Sequence, residues 1–114
     1  NYSKNIYDEI VKSDAVICGE GTIKFIPILM QKPTIIIHQF DNESEMIKDI
    51  IKKNIILSLG KLNNKNKFKI IYKIKNYLLN KNEINKNIKN MKKYFNLDSM
   101  SIKQNLLIRA INLL

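Results

Sequence analysis

Two short polar segments of this chain have the residue types of a phosphate-binding site. One is Gly19-Glu20-Gly21-Thr22, and the other contains His38, Gln39, Asp41, Asn42 and Glu43. Glycine lets a backbone approach a ligand closely, and the free N–H groups at the start of a helix attract phosphate. Imidazole, amide and carboxyl side chains in the second segment can contact a phosphate or a sugar. Together the two segments predict a pocket for a nucleotide or a nucleotide sugar.

Each polar segment follows an apolar run that is typical of a buried parallel strand. The runs cover residues 14–18 and 34–38, and an apolar helix over 23–31 is predicted between them. Thr22 is a plausible cap for that helix, whereas Pro27 would bend it unless the proline lies in the first turn. Because the carboxyl ends of parallel strands meet at one edge of a sheet, we expect both polar segments at that edge.

The remaining periodicity predicts further helices and one more strand. Helices are expected over 5–12 and 43–54, a strand over 55–59, a polar loop over 61–67 and helices beyond it. Ser101 and Gln104 form a capping-box signal for a last helix. The expected inward-facing residues are Met46, Ile47, Ile50 and Ile51 in the third helix, then Phe68, Ile71, Ile74 and Leu78, and finally Ile84, Ile88, Met91 and Phe95.

This order of elements predicts an α/β fold with a short parallel sheet, helices on both faces and a C-terminal helical cluster. We expect residues 1–60 to form an α/β half-domain and residues 61–114 a helical part that packs on the same domain. Three strands leave unpaired sheet edges, which favours an N-terminal domain, a partner chain or a second copy of this chain as cover.

The net charge of +10 is distributed unevenly along the chain. Residues 1–60 contain seven lysines and eight acidic residues, whereas residues 61–114 contain twelve lysines, Arg109 and two acidic residues. Phosphate and base recognition favour arginine, and only one of the basic residues is an arginine. We therefore interpret the lysines mainly as a solvated helical surface. A basic nucleic-acid-binding module, with tyrosines and phenylalanines stacking on bases, remains an alternative.

The other reactive residue types point to binding or packing. His38, the sole histidine, has no evident companion base or nucleophile, so a binding or structural role is favoured over catalysis. Asp41, Glu43 and Glu45 read as a helix start rather than a metal site, and we expect neither a metal ion nor a cofactor. Cys18, the only cysteine, is interpreted as a small core residue.

No apolar run approaches the roughly 20 residues of a membrane span, and we expect a cytoplasmic setting.

The two polar segments and their flanking strands resemble a known family pattern. Ser-Asp-Ala-Val-Ile-Cys-Gly-Glu-Gly-Thr over 13–22, Lys-Pro-Thr-Ile-Ile-Ile over 32–37 and Asp-Asn-Glu over 41–43 are similar to the C-terminal half of GT-B-type glycosyltransferases. The group includes lipid-II-forming N-acetylglucosaminyl transferases, UDP-sugar hydrolases of pseudaminic acid synthesis and spore-coat polysaccharide proteins. The resemblance covers roughly residues 5–60 and implies a partial Rossmann-like domain.

The resemblance also implies a function for the two segments. Gly19, Glu20, Gly21 and Thr22 fall on the turn whose backbone approaches the diphosphate, and the stretch from His38 to Glu43 falls on the loop opposite. The implied role is binding of a UDP-sugar in glycan or polysaccharide synthesis, with turnover requiring an N-terminal domain. Phe25 or Ile26 occupies the place of the glutamate that holds the ribose in such families. A non-catalytic interaction module of the same fold is therefore a second alternative.

Overall fold

The computed structural model describes residues 6–19, 24–38 and 45–95 of the chain. It is an α/β structure in which helices flank a three-stranded parallel sheet, as the sequence predicts. The predicted helix that begins near Ser101 lies outside the described residues. No helix in the described part of the chain combines the length and the apolar character that a bilayer crossing requires. The elements are α1 (Ile6–Lys12), β1 (Val16–Cys18), α2 (Phe25–Leu29), β2 (Thr34–His38), α3 (Glu45–Lys52), β3 (Leu57–Lys61), α4 (Lys67–Leu79) and α5 (Lys81–Tyr94).

The strands lie in sequential order, with β2 in the centre of the sheet. Val16 is paired with Thr34 and Cys18 with Ile36, while Ile36 is paired in turn with Ser58. Because side chains alternate along a strand, Cys18, Ile36 and Ser58 project from the same face of the sheet. All three strands end at one edge, where the chain leaves β1 at Gly19.

Both crossover helices pack against the face of the sheet from which Ile36 projects. Ile28 of α2 and Ile47 of α3 are buried in one cluster with Ile36. Two right-handed crossovers that move in the same direction across a sheet place their helices on the same side, and the sequential strand order imposes that outcome. Met91 of α5 joins this cluster, so the lysine-rich part of the chain contributes to the same core.

Helix α2 is shorter than the predicted span of 23–31 and accommodates Pro27 without a bend. The helix begins at Phe25, so Pro27 is the third residue of its first turn. A residue at this position has no intrahelical partner for its N–H group, so a proline there removes no hydrogen bond. Ile26 and Leu29 pack with Ile10 of α1 in a second buried cluster.

Strand β3 extends through Gly60 to Lys61, beyond the predicted end of the strand at residue 59. Ser58 is paired with Ile36 and Lys61 with His38, so Leu59 and Gly60 together face the single residue Ile37. This is a β-bulge, in which one strand contains one extra residue. Gly60 has a φ of +74°, a left-handed conformation that glycine adopts readily. The bulge brings Lys61 opposite His38.

The buried faces of the later helices agree only partly with the predicted ones. In α3, Ile47 and Ile50 are buried, but Met46 is 52 % exposed. In α5, Met91 is buried and Ile88 and Phe95 pack against the core, as predicted. The prediction for α4 is wrong, because its buried residues are Ile70 and Tyr77, whereas Phe68, Ile71 and Leu78 are exposed. Apolar residues occur all around α4, so periodicity alone could not identify the inward face.

Candidate functional site

An open cavity of about 500 Å³ lies at the edge of the sheet where the three strands end. Two residues of the predicted site, Gly19 and His38, line this cavity. The other predicted residues lie outside the described part of the chain: Glu20, Gly21, Thr22, Gln39, Asp41, Asn42 and Glu43. Of the described residues, Ile17, Cys18, Ile37, Lys61 and Leu62 also line the cavity. The cavity is therefore built by all three strand ends.

His38 is buried at the end of the central strand and is held by a neighbouring strand. Its Nε2 atom shares a hydrogen bond with Oγ of Ser58, the residue that projects from the same face of β3. The tautomer of the ring decides which of the two groups donates. This contact fixes the plane of the imidazole beside the cavity, which suits a positioning or binding role. The serine was not identified from the sequence, because an isolated serine in a strand gives no signal of its own.

Gly19 lines the cavity, but the atoms packed around it do not require a glycine. A Cβ atom placed on Gly19 would lie 4.0 Å from the carbonyl oxygen of Ile37, an ordinary van der Waals distance. The glycine is therefore compatible with a close approach of a ligand to the main chain, while an alanine would also fit. A larger or charged side chain at this position would project into the space that a ligand needs.

Lys61 is the positively charged residue of the described part of the cavity wall, and it is not among the predicted site residues. Its ammonium group is exposed, and the backbone pairing places the residue opposite His38. The predicted polar loop over 61–67 includes Lys61, because a glycine such as Gly60 ordinarily marks the end of a strand. A glycine followed by a lysine at the end of a strand is compatible with a bulge, but that pattern alone is weak evidence.

A second lysine, Lys24, lies close to the end of β1. It is buried immediately before α2, with its Nζ atom 4.5 Å from the centroid of the Phe25 ring. Burial raises the pKa of the Cys18 thiol to about 11, and the nearby charge of Lys24 opposes this rise. Cys18 is therefore a neutral thiol at physiological pH. Lys24 is not among the described residues that line the cavity.

The structure also locates the positions at which the related pattern has a ribose-binding glutamate. Phe25 is half-buried and packs against the core, and Ile26 is completely buried. Helix α2 has only five residues, so its dipole is small. Glu45 is exposed on α3 and lies 3.6 Å from the ammonium group of Lys48. Within the described residues, no cluster of histidine, cysteine and acidic side chains is arranged to hold a metal ion.

The arrangement can bind an anionic ligand but presents few groups for covalent chemistry. Among the described residues, the cavity is lined by the backbone at Gly19, an oriented imidazole, the exposed Lys61 and apolar side chains. Such a mixture of apolar walls and a few convergent polar groups is typical of ligand sites. Comparison with protein-family profiles, with curated proteins and with solved structures finds no match for this chain.

Proposed function

We propose that this chain is the nucleotide-sugar-binding part of a GT-B-type glycosyltransferase or UDP-sugar hydrolase. The observation that carries the proposal is the cavity at the carboxyl edge of the parallel sheet, lined by Gly19, His38 and Lys61. In open α/β sheets, ligands bind outside the carboxyl ends of the strands. A volume of about 500 Å³ lies within the range of roughly 300–1,000 Å³ of small-molecule sites.

The charges near the cavity support a diphosphate as the group that is bound. Lys61 lines the cavity and can reach a phosphate oxygen from β3. A charge-assisted hydrogen bond to phosphate is about twice as strong as a neutral one. The apolar walls formed by Ile17 and Ile37 suit the uncharged part of the ligand. The diphosphate would lie across Gly19 and Lys61.

The sheet topology supports the placement of this chain in the second half of a doubly wound domain. In the order 3-2-1-4-5-6 that is typical of such domains, strands 4, 5 and 6 are sequential neighbours, as β1, β2 and β3 are. Within the described residues, the outer edge of β1 has no strand partner, and Ile17 is 51 % exposed there. An N-terminal domain or a partner chain would cover that edge and supply the groups for turnover. This chain alone would hold the donor.

The first experiment compares UDP binding by two variants of Gly19, measured by isothermal titration calorimetry. Gly19→Asp introduces a carboxylate into the cavity, which would repel the diphosphate and weaken UDP binding by about tenfold or more. Gly19→Ala is the matched control, because its Cβ atom has room. The alanine variant should bind UDP within about threefold of the original chain, since the added methyl group fills little of the cavity.

A second pair of variants tests the charge of the cavity wall. Lys61→Glu should weaken UDP binding more than uridine binding, because uridine has no diphosphate. Lys52→Glu makes the same charge change on the exposed last turn of α3, which leads towards the opposite edge of the sheet. It should leave the affinity for UDP nearly unchanged. Absence of UDP and UDP-sugar binding at millimolar ligand would refute the proposal and favour the non-catalytic module.

A further inference from the structure

Helix α4 has an exposed apolar stripe on the side opposite its buried residues. The exposed side chains occur at i, i+3, i+4, i+10 and i+11, which places them on one face of a helix. The stripe is defined by Phe68, Ile71, Tyr72, Leu78 and Leu79. Phe68 is 75 % exposed and Leu79 is 72 % exposed, at the two ends of the helix. At 1.5 Å per residue, the 13 residues of α4 extend over about 20 Å.

The packing of α4 fixes this stripe towards the outside of the molecule. Ile70 and Tyr77 are buried on the opposite face, and the Tyr77 hydroxyl group donates a hydrogen bond to Oδ1 of Asn87 in α5. Rotation of α4 to bury the stripe would expose both residues and break this bond. Among the described residues, the exposed apolar side chains are therefore fixed on the outer face of α4. A contiguous apolar surface of this kind is typical of an interaction site.

The segment of the chain that contains the stripe has almost entirely positive charge. Residues 61–95 contain eleven lysines and one acidic residue, Glu83. Lys75 lies within the stripe, one helical turn from both Ile71 and Leu79, and Lys67 places its Nζ atom 5.3 Å from the centroid of the Phe68 ring. Lysine has a long aliphatic stem, so its ammonium group can reach water or a headgroup while its carbons lie on an apolar layer.

From these observations we propose that the α4 stripe binds the surface of an anionic lipid bilayer. Helix α4 would lie in the plane of the interface, with Phe68, Leu78 and Leu79 inserted between the headgroups and the lysines close to the lipid phosphates. Three of the five exposed residues of the stripe are aliphatic, which suits lipid chains better than the base stacking that single-stranded nucleic acids require. The excess of lysine over arginine also favours a diffuse anionic surface over bidentate recognition of individual phosphates.

Co-sedimentation with lipid vesicles tests this proposal. The full chain should bind vesicles of phosphatidylcholine mixed with phosphatidylserine, and it should bind pure phosphatidylcholine vesicles about tenfold less tightly or worse. Phe68→Ser and Leu79→Ser should each weaken binding by about fivefold or more, because each removes an inserted side chain. Lys75→Gln should weaken binding by about fivefold and reduce its dependence on salt.

Matched controls come from α3, which has comparable exposed residues outside the stripe. Met46→Ser removes an exposed apolar side chain and Lys52→Gln removes an exposed charge, and both should leave vesicle binding unchanged. Circular dichroism should show every variant to be folded, because all the altered side chains are exposed.

Three outcomes would overturn the proposal. One is equal binding to neutral and anionic vesicles, or none to either. Another is a dimer in analytical ultracentrifugation that Phe68→Ser dissociates, which would make a second copy the occupant. The third is tight binding of a single-stranded oligonucleotide that Phe68→Ser and Tyr72→Ser abolish while vesicle binding is absent. The test is independent of UDP binding, because the stripe and the cavity at Gly19 share no residue.

Discussion

Replacement of Asn87 by alanine should destabilise the chain by about 3 kcal/mol, because Asn87 connects three elements in the interior. Its Oδ1 atom accepts a hydrogen bond from the hydroxyl group of Tyr77, and its Nδ2 atom donates to the carbonyl of Asn54 at 2.7 Å. Two lost hydrogen bonds cost about 2 kcal/mol, and the hydroxyl group left without its acceptor adds about 1 kcal/mol or more. For a chain of this size the melting temperature should fall by about 12 °C.

Urea unfolding followed by circular dichroism measures this effect, and neighbouring asparagines supply the comparisons. Asn90→Ala should cost only about 0.5 kcal/mol, because the Asn54 carbonyl keeps its bond from Asn87. Asn85 is exposed in the same helix, so Asn85→Ala should be neutral or slightly stabilising.

A double-mutant cycle isolates the coupling between Asn87 and Tyr77. Tyr77→Phe should cost about 1 kcal/mol in the original chain but should stabilise the Asn87→Ala background by about 1 kcal/mol, because it removes the hydroxyl group that has lost its acceptor. Simple additivity of the two changes would refute the reasoning. Two separate unfolding transitions would also refute it, because they would mean that α5 and the sheet do not share one core.

Three further predictions follow from other parts of the structure. Gly60→Ala should destabilise the chain by about 1 kcal/mol in urea unfolding although no atom blocks the new methyl group, because the φ of +74° is unfavourable for alanine. The folded-state pKa of Cys18 is about 11 against an ordinary 9.0, so its contribution to stability should be present below pH 9.0 and be lost as the pH rises towards 11. Thiol alkylation should follow the same pKa, and Lys24→Met should raise it further. Ile70→Ala should cost about 3 kcal/mol, whereas Phe68→Ala should cost under about 0.5 kcal/mol; equal costs would refute the assigned inward face of α4.

The central strand and the position of the cavity could be predicted from the sequence. The β-branched run from Thr34 to His38 forms β2 with the predicted bounds, because such side chains suit a strand covered on both faces. The first strand is shorter than predicted, since β1 begins at Val16. Parallel strands with polar carboxyl ends then define where a ligand can bind, and the cavity beside Gly19 and His38 lies there.

The remaining features depend on backbone geometry or on tertiary packing. The bulge at Gly60 depends on how β3 is paired with β2, which leaves no periodic signal in the chain. The hydrogen bond between His38 and Ser58 likewise requires the register of two strands that are 20 residues apart. In α4, apolar residues occupy both faces, and the choice of Ile70 over Phe68 for the core follows from the position of α5.

The extra residue in the β3 bulge determines which face of the sheet the Lys61 side chain projects from. Without the bulge, Gly60 would be paired with His38, and the Lys61 side chain would project from the opposite face of the sheet. A chain shortened by removal of Gly60 would keep Lys61 across from His38, now in an unbroken ladder. Deletion of Gly60 should therefore reduce ligand affinity less than its replacement by a bulky amino acid. Deletions usually do more harm than substitutions, so the usual order would be reversed at this position.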